Sequence, residues 1–211
     1  MKTEYSKLLS RITASLYNDV LKPQSFKKKG NTFNRLTSDG LTQVINFQAG
    51  AYEPWKQEDS LHGLFTINLG IYVPEVDEAI FKKKKSFVLE YDCQIRTRIG
   101  NISGKNDLWF DLKNFKQADE QNLIQLLQQF GVPFLDNFET REKIIKNVSE
   151  TKRNTFTGVP RILLGLIYFK QGNTAKASEL LKKQYDESSD NLGHQKYVVQ
   201  LSDDLGIDLF I

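Results

Sequence analysis

The sequence predicts an α+β fold, with an N-terminal helix packed on an antiparallel β-sheet and an α-helical C-terminal region. Three observations predict it. The first twenty residues carry apolar side chains at helical spacing. Several segments between Thr32 and Ile99 alternate apolar and polar residues with period two, the pattern of half-buried antiparallel strands. After about Phe115 the period becomes helical and stays so. Strands followed by helices indicate α+β rather than a doubly wound sheet. The expected organisation is an α+β domain over 1–115 and a helical region over 116–211 packed against it.

The elements follow in order. Thr3 to Val20 reads as an amphipathic helix, with Tyr5, Leu8, Leu9, Ile12, Leu16 and Val20 on one face, Thr3 as its cap and Pro23 beyond its end. Thr32–Thr37 and Leu41–Gln48 form a hairpin about Ser38, Asp39 and Gly40. A two-residue Asp-Gly turn would set Phe33 opposite Asn46 and mix apolar with polar on one face. A three-residue loop with Gly40 left-handed sets Phe33 opposite Ile45. Since a one-residue slip flips every side chain, burial selects the second register. The buried face then carries Phe33, Ile45 and Phe47; the other carries Thr32, Asn34, Val44, Asn46 and Gln48.

Leu64–Val73 continues the sheet, with Phe65, Ile67, Leu69 and Ile71 inward. So does Cys93–Ile99, with Cys93, Ile95, Thr97 and Ile99 inward. Between these strands lie a loop, Gly50–Gly63, that carries Trp55, and a short helix, Pro74–Phe81, that runs into Lys82–Lys85. A Gly-rich turn, GNISGK, precedes an apolar segment around Trp109 and Phe110. Helices are expected over Ala118–Phe130, stopped by Gly131 and Pro133, and over Arg141–Val148. Pro160–Lys170 and Thr174–Tyr185 form a helical hairpin about Gly172, and a last helix spans His194–Leu205.

The segment LKPQSFKKKGNTFNR, then DGLTQVINFQ, FTINLGIY, and RTRIG with DLWFDL, resembles a bacterial family known only as domain of unknown function 4304. The resemblance covers about Leu21–Leu112. It implies a soluble bacterial protein and assigns no catalytic residue. DLWFDL has Phe110 where the family pattern suggests a second Trp. Separately, RILLGLIYFKQGNTAKASELLKKQY is similar to a single tetratricopeptide unit, through Leu164, Gly165, Tyr168, Gly172, Ala177 and Leu181. Arg161 stands where that repeat has its leading aromatic and Ser189 where it has its closing Pro, and no second copy follows. Arrays need about three units to build a stable groove, so the hairpin is expected to buttress the fold.

Function is less legible. The 29 basic and 26 acidic residues leave a net charge of +3, too slight by itself to indicate nucleic acid. The first twenty residues lack the apolar core and cleavage site of a signal peptide, the longest apolar run is too short for a bilayer, and one cysteine makes no internal disulfide. A cytoplasmic location is expected from these together. His62 and His194 lack metal-ligand spacing and Cys93 stands alone, so neither a metal nor another cofactor is expected. GNISGK lacks the phosphate-loop pattern. Glu75, Asp77 and Glu78 serve a helix N-terminus better than a metal.

The non-core sheet face gathers Asn34, Asn46, Gln48, Asn68, Tyr72, Gln94, Arg96 and Arg98. One reading is a solvated outer face. The other is a recognition platform, because Asn, Gln and Arg offer directed hydrogen bonds where plain solubility would use Lys and Glu. The expected use is a non-enzymatic protein-binding or accessory module, of immunity type by analogy with small orphan bacterial domains, with another protein as its partner. The alternatives are a single-stranded nucleic acid bound through Lys27–Lys29, Lys82–Lys85, Arg96, Arg98 and Tyr72, and an enzyme of unrecognised type. For the lysine runs, a strand edge blunted against aggregation suffices as an explanation.

Overall fold

A computed structural model describes residues 4–51, 61–148 and 159–210. Two expectations from the sequence, the Thr3 cap and the part of the loop around Trp55, lie outside the described residues. The chain divides into two units, one made of Met1–Tyr72 with Phe87–Glu139, the other of Val73–Ser86 with Thr140–Ile211.

The first unit is built on an antiparallel sheet. Its strands are β1 (Lys27–Lys29), β2 (Thr32–Leu36), β3 (Thr42–Ala49), β4 (Leu64–Tyr72) and β5 (Ile95–Arg98), in that spatial order, and β6 (Phe110–Asp111) pairs with β4. Lys27–Lys29 is therefore an edge strand, as the lysine run suggested. Phe33 faces Ile45 across the hairpin. The loop is Ser38-Asp39-Gly40, closed by the Thr37 N–H on the Leu41 carbonyl at 2.9 Å, with Gly40 at φ +79°. Burial has chosen the register that period two required.

Helix α1 (Glu4–Leu16) lies on the Phe33 face. It buries Leu9, Ile12 and Leu16 and leads into a wide turn, Tyr17–Leu21, whose Tyr17 ring stacks on Phe33 at 5.9 Å. The same face is closed further along by the end of α5 (Val132–Asp136). There Gln43 Nε2 donates to the Leu135 carbonyl at 2.7 Å and Arg35 pairs with Asp136.

Gly131 and Pro133 do not stop the preceding helix, contrary to expectation. Helix α4 (Gln117–Leu126) passes through a wide turn, Leu127–Gly131, straight into α5, with Gly131 at φ −65°. Pro133 falls in the first turn of α5, directly after the last bond of the wide turn, from the Val132 N–H to the Leu127 carbonyl.

The opposite face of the sheet is covered at one end. A strap, Phe87–Gln94, crosses it after α2 (Pro74–Phe81), and includes a tight turn at Glu90–Asp92. Val88 and Cys93 of the strap form an apolar cluster with Val44 and Tyr72 of the sheet. Cys93 was expected beside Ile95 and Thr97 on the Phe33 face. It is buried, but against the other face, because the strand starts only at Ile95 and the turn brings the thiol over Gly70. A Cβ on Gly70 would stand 2.6 Å from the Cys93 sulfur, so the strap needs glycine there. Ile99 leaves the sheet to open a short helix, α3 (Ile99–Ile102).

The second unit contains α2, α6 (Arg141–Asn147), α7 (Pro160–Lys170), α8 (Thr174–Glu187) and α9 (Leu192–Asp204). Thr140, Asn173 and Asn191 cap α6, α8 and α9 through their side-chain oxygens. The core joins Ile162 and Leu166 of α7, Ala177 and Leu181 of α8, and Val198 and Leu201 of α9, with Val76 and Ala79 of α2 packed on it. Gly165 allows a close approach: a Cβ there would meet Leu181 Cγ at 3.4 Å and the Ala177 carbonyl at 3.6 Å. Arg161, buried to 7 % exposure, is held in a bidentate pair by Glu187. Glu75 pairs with Arg141. No described helix is long and apolar enough to cross a membrane.

Candidate functional site

Side chains of the strap-bearing face sort into rows by strand register. One row crosses four strands through successive partners: Thr32, Asn46, Asn68 and Arg98, with Lys29 beyond Thr32 on the edge strand. Gln48 lies one step along β3 from Asn46 on the same face. Two hydrogen bonds join side chains of this face. Asn46 Nδ2 donates to Thr32 Oγ1 at 2.9 Å, and Asn68 Nδ2 donates to Gln48 Oε1 at 2.7 Å. At the far end the Arg98 guanidinium pairs with Asp107 and lies 5.3 Å from the Trp109 ring centroid. Trp109 Nε1 donates to the second Asp107 oxygen at 3.0 Å. Those two donors, the indole first and the guanidinium second, hold the Asp107 carboxyl below the usual carboxylate range.

The eight positions singled out in the sequence therefore fall into two groups. Asn46, Gln48, Asn68 and Arg98 belong to the row; Gln48 is exposed, Asn46 and Arg98 are half-buried, and Asn68 is buried between neighbours. Asn34, Tyr72, Gln94 and Arg96 belong to the strap. Asn34 and Tyr72 lie beneath it, buried. Gln94 Nε2 donates to the Asp92 carbonyl at 3.0 Å, within the strap's own turn. Arg96 grips Glu90 of the strap through Nε at 2.6 Å and Nη2 at 2.8 Å. That carboxylate raises the guanidinium further above its ordinary value.

Glu90 and Asp107, which anchor the two arginines, are not visible in the alternation, since both sit in irregular segments where period two carries no information. The lysines of β1 are partly engaged as well: the Lys28 ammonium lies 5.5 Å from the Phe33 centroid, and that of Lys29 5.4 Å from Phe87. His62 packs edge-on against Tyr5 at 5.2 Å, and the His194 ring nitrogen lies 3.2 Å from the Gln184 amide. Among the described residues no group of three or more His, Cys, Asp or Glu side chains is placed to hold a metal ion.

The sheet, the strap and helices α2 to α5, but not α1, fall within a known sequence family. The model of the domain of unknown function DUF4304 matches residues 17–137, more than half of the chain. The chain belongs to that family. No curated protein and no solved structure matches it. The DUF4304 match extends past the motifs between Leu21 and Leu112 to take in α4 and α5, whose end is hydrogen-bonded to Gln43 and Arg35 of the sheet. Both sheet faces of the DUF4304 region thus contribute: one closed by helices, the other by the strap at one end and occupied by the polar row at the other.

Proposed function

We propose that this DUF4304 protein is a non-enzymatic binding module whose contact surface for a protein partner is the row Asn46, Gln48, Asn68 and Arg98. One observation carries the reading: two amides of the row are already oriented by hydrogen bonds to neighbours on the same sheet face. Asn46 is fixed by Thr32 and Asn68 by Gln48, while the Gln48 amide nitrogen has no partner among the described residues. Side chains held in this way lose little rotamer entropy on binding, a cost of about 0.5–1.5 kcal/mol for each mobile side chain. Arg98, clamped by Asp107 and the Trp109 ring, adds a cation of fixed orientation at one end. Such a surface suits an accessory role, recognising polar backbone or side-chain groups of another protein rather than burying a large apolar area.

The test is capture of partners from a lysate of the source cell by tagged chain, with and without nuclease, beside a Gln48→Ala/Arg98→Ala variant. A protein retained stoichiometrically after nuclease and lost by the variant supports the reading. Nucleic acid as the sole retained species, lost on nuclease treatment, moves the row to the nucleic-acid alternative. Equal retention by the variant rejects the row as the contact surface.

A further inference from the structure

Beside β6 the first unit contains a recess of about 220 Å³ lined by Trp109, Phe110, Asp111, Asn114, Phe115 and Asp119. It is smaller than the roughly 300–1,000 Å³ of sites that take drug-sized molecules. Its size suits a single side chain. Among its lining residues, Phe110 is stacked on Phe65 at 5.1 Å, and the Trp109 and Phe115 rings are half-buried. Two carboxylates complete the lining. Asp111 accepts from the Lys113 N–H and the Asn114 amide, both at 2.7 Å, and Asp119 accepts from the Lys116 N–H at 2.7 Å through one oxygen. Neither forms an ion pair among the described residues, and the other Asp119 oxygen has no hydrogen-bond donor among them.

From this geometry we infer that the recess receives a lysine or arginine side chain presented by a peptide or protein, its charge between Asp111 and Asp119 and its stem along Trp109 and Phe115. The chemistry is complementary on both counts. Aromatic faces attract ammonium and guanidinium groups, by about 0.5–1 kcal/mol where exposed and more where desolvated. Two carboxylates that form no ion pair among the described residues, Asp111 feeling Lys113 only at longer range, supply the counter-charge. The start of α4 at Asp119 opposes a cation with only about half a positive charge, against two full negative ones. The Trp109 indole already carries one guanidinium, that of Arg98, whose charge is answered by Asp107 and not by the recess carboxylates. Carboxylates facing aromatic rings in so small a space exclude anions and give a neutral apolar side chain no polar partner. None of the four row residues lines the recess, so this site stands whether or not the row binds a partner.

The test uses the full chain carrying Trp55→Phe, which leaves Trp109 as the sole fluorophore of its kind. Nα-acetyl-arginine amide and Nα-acetyl-lysine amide are titrated against it, with Nα-acetyl-norleucine amide as the uncharged control and 1,5-diaminopentane as a free amine. The expected result is a saturable change in Trp109 emission with the two cationic amides and none with norleucine. Affinity should fall about fivefold in Asp119→Asn, which keeps an oxygen acceptor for the Lys116 N–H, and should weaken as salt is raised. An equal response to norleucine, or unchanged affinity in both Asp119→Asn and Phe115→Leu, overturns the site. Tighter binding of the diamine than of either blocked amino acid overturns a peptide-borne side chain as its occupant. A thermal melt of each variant confirms that the folded chain is being compared.

Discussion

Asn34 holds Val88 by both ends of its amide. Its Oδ1 accepts the Val88 N–H at 2.7 Å and its Nδ2 donates to the Val88 carbonyl at 2.9 Å. A side chain of β2 thereby performs the pairing that a neighbouring strand would, for a strap that is not itself a strand. Asn34 is buried, so loss of the amide strands both backbone groups of Val88 away from water. An unsatisfied buried group costs about 1–3 kcal/mol. Asn34→Leu is expected to destabilise the folded chain by about 2–4 kcal/mol in urea unfolding. A loss below about 0.5 kcal/mol would mean that the strap does not depend on this side chain.

Gly70 and Cys93 give a second handle on the strap. A methyl group at 70 meets both the sulfur and the Cβ of Cys93, at 2.6 and 2.7 Å, closer than real contacts allow. Gly70→Ala should lift the strap, cost about 1–3 kcal/mol as an overpacked core does, and make the buried Cys93 thiol react faster with a maleimide or disulfide reagent. Thiol labelling under native conditions, at the same rate in both proteins, would place the relaxation elsewhere.

The two neighbouring arginines should respond differently. Glu90, to which Arg96 is bonded, keeps only 11 % side-chain exposure, so Arg96→Ala leaves a nearly buried carboxylate without its partner. About 2–4 kcal/mol should be lost. Arg98 and Asp107 are far more exposed, at 36 % and 58 %, and Arg98→Ala should cost no more than about 1 kcal/mol while removing partner binding. Unfolding midpoints and capture measured on the two variants would reject this division if Arg98→Ala were the more destabilising.

Asp107 supplies a pH dependence. Its carboxyl is held low in the fold by Trp109 first and Arg98 second. A depressed folded value means that the charged form carries the contact. The contact is complete at neutral pH and above the unfolded value of about 3.9, and it is lost as pH falls through the lower folded value. Emission of Trp109 in a Trp55→Phe background should stay flat down to the ordinary carboxylate range and change only below it. Asp107→Asn should abolish that transition, and its survival in the variant would assign it to another carboxylate.

Much of the sheet was legible because period two has a single burial-consistent solution. Phe33 opposite Ile45, and Gly40 as the left-handed residue of the loop, follow from it directly. The row followed too, since Asn46, Asn68 and Arg98 alternate with core residues in three separate segments. The strap did not follow. Phe87–Gln94 has no period, and what seats it is the absence of a side chain at Gly70 together with a buried Asn. Extending the alternation back to Cys93 put that thiol on the wrong face for the same reason. Gly131 and Pro133 misled because punctuation residues were read without the wide turn, which lets a helix restart with proline in its first turn.

Helix α2 lies inside the DUF4304 match, between β4 and the strap, yet its Val76 and Ala79 pack on residues that come after 159. A family boundary drawn at residue 137 is therefore a poor place to cut the gene. A fragment ending there keeps Pro74–Phe81 but discards the helices that cover its apolar side, and a fragment beginning at 140 lacks that helix altogether. Both halves would be made with sticky, half-finished surfaces. Expression trials should carry the chain whole, or excise 73–86 with a short linker when the N-terminal part is wanted by itself.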